Sequence, residues 1–170
     1  MRRTMDAQHG DTAGQYLVPT ELHDRVDYLL CKLSETVKRE ADEAFSAYGL
    51  RGSHHALLRV LRAGGAMSQQ DMASHLTVDP STIVDLVDHL EKHQLVVRSR
   101  NPMDRRVSLL DLTGAGRRRL AAADERATTI QTEILAKLSP AEGEQLRQLL
   151  LRLVGVPDPA DAEAADEPDH

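Results

Sequence analysis

Two short helical repeats across a tight turn, running straight into an arginine-bearing hairpin, occupy Ser68 to Thr113 and constrain this chain more than any other stretch. Apolar residues recur at three- and four-residue steps: Met72, Ala73 and Leu76 in the first repeat, then Ile83, Leu86, Val87 and Leu90 in the second. Ser68-x-x-Asp71 is a variant capping box for the first helix; Asp79 is placed to cap the second, with Pro80 at its first position. The outward face of that second helix carries Ser81, Thr82, Asp85, Asp88 and His89. Leu95-Val96-Val97 and Val107 to Leu112 are short and β-prone, joined by the turn sequence Arg100-Asn101-Pro102-Met103-Asp104. Arg98, Arg100, Arg105 and Arg106 lie on this hairpin. A helix that fits a major groove, beside a ribbon that reaches backbone or minor groove, is suited to reading duplex DNA.

The rest of the chain reads as helix. With no Trp, one Phe and three Tyr, the core must be built from Leu, Val, Ile, Met and Ala. That composition suits helix packing better than a β-sandwich, and together with the hairpin it predicts a mainly α fold with a small β-wing. Pro19-Thr20-Glu21 opens a long amphipathic helix that Gly49 ends. A second helix runs from about Ser53 to Arg62 with Ala56, Leu57, Val60 and Leu61 inward, and Gly64-Gly65 stops it. Thr113 starts another long helix, and Ser139-Pro140-Ala141-Glu142 caps a last one. The expected organisation is a flexible tail over 1–18, an N-terminal dimerisation helix over 19–50, and a winged helix-turn-helix domain over 51–113. C-terminal dimerisation helices over 114–155 and an acidic disordered tail over 156–170 follow. The apolar stripes of the flanking helices need a partner, and a second copy of the chain is the simplest one.

The net charge of −6 is unevenly spread: residues 51–120 hold 11 Lys and Arg against 7 Asp and Glu, while both flanks are acidic. Local charge decides where a polyanion docks, so the basic middle is the relevant value. No run of residues approaches the roughly 18 apolar residues of a membrane span, and the N-terminus lacks a secretory apolar region. A single cysteine excludes an intrachain disulfide framework. These features predict a cytoplasmic protein with no membrane partner.

Asp104-x-Arg106 followed by Leu112-Thr113 resembles the wing signature of the MarR (multiple antibiotic resistance regulator) family. Leu90-Glu91-Lys92 and Leu95-Val96-x-Arg98 resemble the end of its recognition helix and the start of its wing. The resemblance covers about Leu22 to Val154. It implies a homodimeric winged-helix transcription regulator, a repressor in the main, that binds a pseudo-palindromic operator and responds to a small phenolic or anionic ligand. By resemblance Asp104 and Arg106 pair to shape the wing, and Arg105 or Arg100 reaches a minor groove or phosphate. Ser81, Thr82, Asp85, His89 and Arg98 complete the expected DNA-contacting set, the first two because helix N-termini favour anions. Arg117, Arg118 and Arg119 cannot all share a face, so at least one points to solvent. Two departures stand out: the family often has a basic residue where Asp85 stands and a Gly where Gln94 ends the helix. Asp85 either accepts from a cytosine N4 amino group or forms a salt bridge with Arg98 or His89.

Tyr28, His54, His55 and Arg59 are the candidates to line an effector crevice between the dimerisation helices and the winged domain. His89-x-x-x-His93 has metal-ligand spacing, but His54, His55, His75, His89 and His93 supply no complete ligand set, and structural or DNA-contact roles fit them better. Cys31 falls on the flank of an apolar stripe and reads as a packed, inert thiol, though a metal- or oxidant-responsive regulator of the same fold is the alternative. A second class of function is a winged-helix dimer whose acidic face (Asp79, Asp85, Asp88, Glu91) docks another protein instead of DNA. No nucleophile–base pair or phosphate loop points to an enzyme, and Gly114-x-Gly116 is too short for a nucleotide motif. No cofactor is expected.

Overall fold

Side-chain caps set where three of the six α-helices begin. Ser68 Oγ accepts from the Asp71 N–H (3.1 Å) while the Asp71 carboxylate accepts from the Ser68 N–H, closing the foreseen box. Ser139 and Glu142 repeat it at the last helix, and Thr113 Oγ1 accepts from the Gly116 N–H (2.9 Å). In the computed structural model, which describes residues 18–156, the helices are α1 (Val26–Ser46), α2 (Gly52–Gly64), α3 (Gln69–Leu76), α4 (Pro80–Lys92), α5 (Gly114–Leu135) and α6 (Pro140–Leu153). The strands are β1 (Met67–Ser68), β2 (Val96–Arg100) and β3 (Ser108–Leu112), forming an antiparallel sheet in the order β1-β3-β2. The tails expected over 1–18 and 156–170 lie, apart from Val18 and Val156, outside the described residues.

Three details differ from expectation. The first helix starts at Val26, because Thr20–Leu22 closes into a 3-10 turn whose carbonyls are spent on i+3 donors, such as His23 N–H to Thr20 (3.2 Å). Asp79 occupies the cap position of α4, yet its carboxylate makes no capping bond. Its backbone carbonyl accepts from the Thr82 and Ile83 N–H groups instead, and Pro80 supplies a pre-set φ. Strand β1 was not foreseen, since two residues show no period and Ser68 already serves as a cap.

The chain divides into two compact units, and the division falls inside α1, after Thr36. In the first, Val26, Leu29, Leu30 and Leu33 are exposed along α1. In the second, Leu57, Leu58 and Leu61 of α2, Met72 of α3, Ile83, Val87 and Leu90 of α4, Leu110 of β3 and Leu120 of α5 form the buried centre. Each such side chain contributes about 1.5–3 kcal/mol on leaving water, enough to hold a core with Phe45 as its one buried aromatic. Leu149, Leu150 and Leu153 of α6 stay exposed.

The hairpin is tied to α5 at one carbonyl. Leu95 O accepts from both the N–H (3.1 Å) and the Oγ1 (3.2 Å) of Thr113, and the Gly116 Cα sits directly against it. Just before, Gln94 ends α4 with φ +58°, the left-handed conformation that L side chains resist. Gln94→Gly is therefore expected to stabilise the protein by about 1 kcal/mol, the relief of Cβ strain outweighing the added unfolded-state entropy. An unchanged or lower midpoint in urea would show that the Gln94 side chain makes up for its strain.

Candidate nucleic-acid interface

Helix α4 presents its N-terminal half to solvent, with Ser81, Thr82, Val84 and Asp85 all exposed and Ile83, Val87 and Leu90 anchoring the opposite stripe. Ser81 and Asp85, four residues apart, share one face. Neither they nor Thr82 makes a side-chain hydrogen bond or ion pair among the described residues.

Further along α4 the polar side chains are engaged internally. Arg98, expected to contact DNA, instead reaches from β2 to Asp88 (Nη2 to Oδ1, 2.6 Å) and Glu91. The Asp88 hydrogen bond raises the Arg98 pKa above its already high ordinary value, outweighing partial burial. Two carboxylates on α4 sit within reach of Arg98, so its guanidinium is engaged inside the protein. The salt bridge considered for Asp85 accordingly goes to Asp88 and Glu91. His89, the other partner considered for Asp85, hydrogen-bonds the Gly49 carbonyl through Nε2 (3.1 Å) and stacks on His54, ring centroids 4.3 Å apart. His93 lies tilted against His89 in turn (ring centroids 4.4 Å apart) and bonds its carbonyl through Nδ1 (2.8 Å). Thus His89 braces α4 against the α1–α2 turn.

The wing keeps its cations outward. Arg100, Arg105 and Arg106 are exposed and form no ion pair among the described residues. The pairing of Asp104 with Arg106 takes a different form: Asp104 Oδ1 accepts from the Arg106 backbone N–H (3.0 Å), closing an Asx turn that leaves the guanidinium free. Asn101 makes the same closure to the Met103 N–H (2.9 Å). At the start of α5, Arg117 pairs with Asp111 (3.6 Å), Arg119 donates to the Tyr48 carbonyl, and Arg118 is exposed.

Each residue expected to line an effector crevice has its own surroundings within its unit. His54 is buried against α4, and its Nδ1 accepts from the Arg51 N–H (3.0 Å). His55, its neighbour, turns the other way, stacking on Phe45 (4.7 Å) and bonding Asp124 of α5 through Nε2 (2.9 Å). Burial pushes the Asp124 carboxyl up, but the hydrogen bonds from His55 and Arg62 outweigh it and hold the carboxyl below its ordinary range. Arg59 is exposed on α2, and Tyr28 is half-buried in the first unit. Cys31 is exposed rather than packed, on a stretch of α1 whose apolar neighbours are themselves uncovered in the single chain. His75 bonds the Asp71 carbonyl one turn back (2.9 Å). No group of three His, Cys, Asp or Glu among the described residues could hold a metal ion.

Sequence periodicity missed two participants. Val84 is an exposed β-branched residue on a polar face, signalled only by its position between Ser81 and Asp85. The ion pairs of Arg98 cross ten and seven residues, a spacing no local pattern records.

This geometry has close counterparts. The MarR family model matches residues 51–108. A Thauera aromatica protein, assigned provisionally as the transcriptional regulatory protein for the hcr operon, is 34% identical over 105 residues. The match covers 62% of this chain and 63% of that protein, so the chain spans just under two thirds of that relative's length. A Pseudomonas aeruginosa structure, described as a probable transcriptional regulator, is 32% identical with a TM-score of 0.70, covering 78% of this chain and 98% of that one. CouR from Rhodococcus jostii RHA1, solved bound to p-coumaroyl-CoA, is 28% identical with a TM-score of 0.71, covering 82% and 99%.

Proposed function

Because the chain belongs to the MarR family of regulators, we propose that it is a sequence-specific, DNA-binding transcription regulator that acts as a homodimeric repressor. One observation carries the reading: three exposed arginines with no internal ion pair, Arg100, Arg105 and Arg106, stand on a ribbon whose root is ion-paired to an exposed-faced recognition helix. Phosphates are the natural partner of unspent guanidinium groups, and the helix between them reads the groove. The second copy is supported by the exposed leucines of α1 and of α6, two apolar faces that a solvated monomer leaves in water. A two-fold pair presents two recognition helices to half-sites about one helical turn apart. Regulation by a small effector is supported by the likeness to CouR, which was solved with an acyl-CoA bound.

Titrating the full chain against its own upstream DNA, with sedimentation to count protomers, tests this. Tight binding that weakens steeply with salt is expected. The double variant Arg105→Ala, Arg106→Ala should lose roughly 10- to 100-fold in affinity for every sequence and flatten the salt dependence by about one counterion per lost phosphate contact. Unchanged affinity would remove the wing from the interface. No binding at low salt would favour the protein-docking reading, which the internal pairing of Asp88 and Glu91 with Arg98 already weakens.

A further inference from the structure

Of the acidic side chains on the body of α4, one remains unspent. Asp88 and Glu91 share the Arg98 guanidinium, whereas Asp85 is exposed and forms neither hydrogen bond nor ion pair among the described residues. Arg51 lines the same open cavity of about 370 Å³ between the α1–α2 turn and α4, yet no ion pair links the two. His89, one turn on from Asp85, is held by the Gly49 carbonyl. Beside Asp85 stands Val84, 43% exposed although β-branched and apolar. Resting on the DNA-binding reading above, we infer that Asp85 and Val84 are the specificity-determining pair of this helix, Asp85 accepting from a cytosine N4 amino group and Val84 packing on a neighbouring thymine methyl.

The argument is one of satisfaction. A bare carboxylate brought into the major groove loses water and faces phosphate repulsion, so it needs a donor there or costs several-fold to orders of magnitude in affinity. Among base edges, cytosine offers its amino group without an acceptor on the same base; adenine sets N7 beside its own, against which a carboxylate oxygen is repelled. Sequences lacking the donor are therefore rejected, and discrimination comes from the unpaired charge as much as from the paired one. Val84 adds the complementary preference, because a methyl group on thymine is the apolar contact the groove provides. An acidic residue at this place thus trades general affinity for selectivity.

Selecting binding sites from randomised duplexes with the full chain, Asp85→Ala, Asp85→Asn and Val84→Ala tests the pair. The wild type should favour cytosine at one position per half-site by roughly 10- to 100-fold. Asp85→Ala should flatten that position alone while binding random-sequence DNA more tightly, since a repelling charge is gone. Replacing the adjacent thymine with deoxyuridine should weaken wild-type binding a few-fold and leave Val84→Ala unaffected. A cytosine preference that survives in Asp85→Ala, or an equal loss on all sequences, overturns the assignment. Complete absence of DNA binding by the wild type overturns the regulator reading itself, and retained random-DNA binding by each variant shows that it is folded.

Discussion

Gly116→Ala is expected to lower stability by about 3 kcal/mol or more, one of the largest effects of any single methyl group in this protein. A Cβ at Gly116 would overlap the Leu95 carbonyl oxygen and come within 3.2 Å of Leu112 Cδ2. The obstacle is backbone, which cannot swing aside as a side chain does. It is also already held, since Thr113 donates to the same oxygen twice. Relief requires α5 to part from the hairpin root, exposing Leu95, Leu112 and Leu120, all of them buried. Gly114→Ala is the control: a Cβ there meets only the far end of Arg118 at 3.6 Å, so little change is expected. Urea denaturation of the two variants checks the contrast. Equal midpoints would mean that α5 does not seat against Leu95 in solution.

The second large effect is on pH. Burial, reinforced by the nearby His89 and Arg51, pushes the His54 pKa down to about 4 from an ordinary imidazole value of about 6.5. Below pH 6.5 the unfolded chain takes up this proton while the folded protein does not, so stability falls as pH drops from about 6.5 to about 4, then levels off. The window corresponds to roughly 3 kcal/mol from this one group. The structure gives the reason in bonding terms: His54 Nδ1 must keep its lone pair for the Arg51 N–H, and a proton there would set donor against donor. Asn at position 54 retains an acceptor without titrating. The difference in unfolding free energy between wild type and His54→Asn should therefore shift by about that amount across the window. A pH-independent difference would show that His54 takes up its proton as readily in the folded protein as in the unfolded chain.

Much of this was readable in advance, and for identifiable reasons. The caps at Ser68, Thr113 and Ser139, the buried stripe of α4 and the hairpin are local, and local chemistry is written in neighbouring residues. Arg100, Arg105 and Arg106 were legible because a short turn forces cations outward. Arg98 was not: only the register of β2 against α4 brings it to Asp88 and Glu91. His54 and His55 sit side by side in the chain yet serve opposite faces of α2, because adjacent helical positions diverge by about 100°. Gly116, dismissed as part of too short a motif, proved structural, since its role is to lack a side chain opposite a carbonyl some twenty residues away.

The ion pairs of Arg98 carry one further consequence for how a duplex is measured. They brace the root of the ribbon to α4, and on the DNA-binding reading proposed above this would fix the span between a probe for the wide groove and a probe for the narrow one. A caliper of set opening fits only DNA whose adjacent grooves match it, and a mismatched duplex must deform at an energy set by its own stiffness. Base steps lying between the two probes, touched by no side chain, would then still carry preference through how readily they twist or narrow.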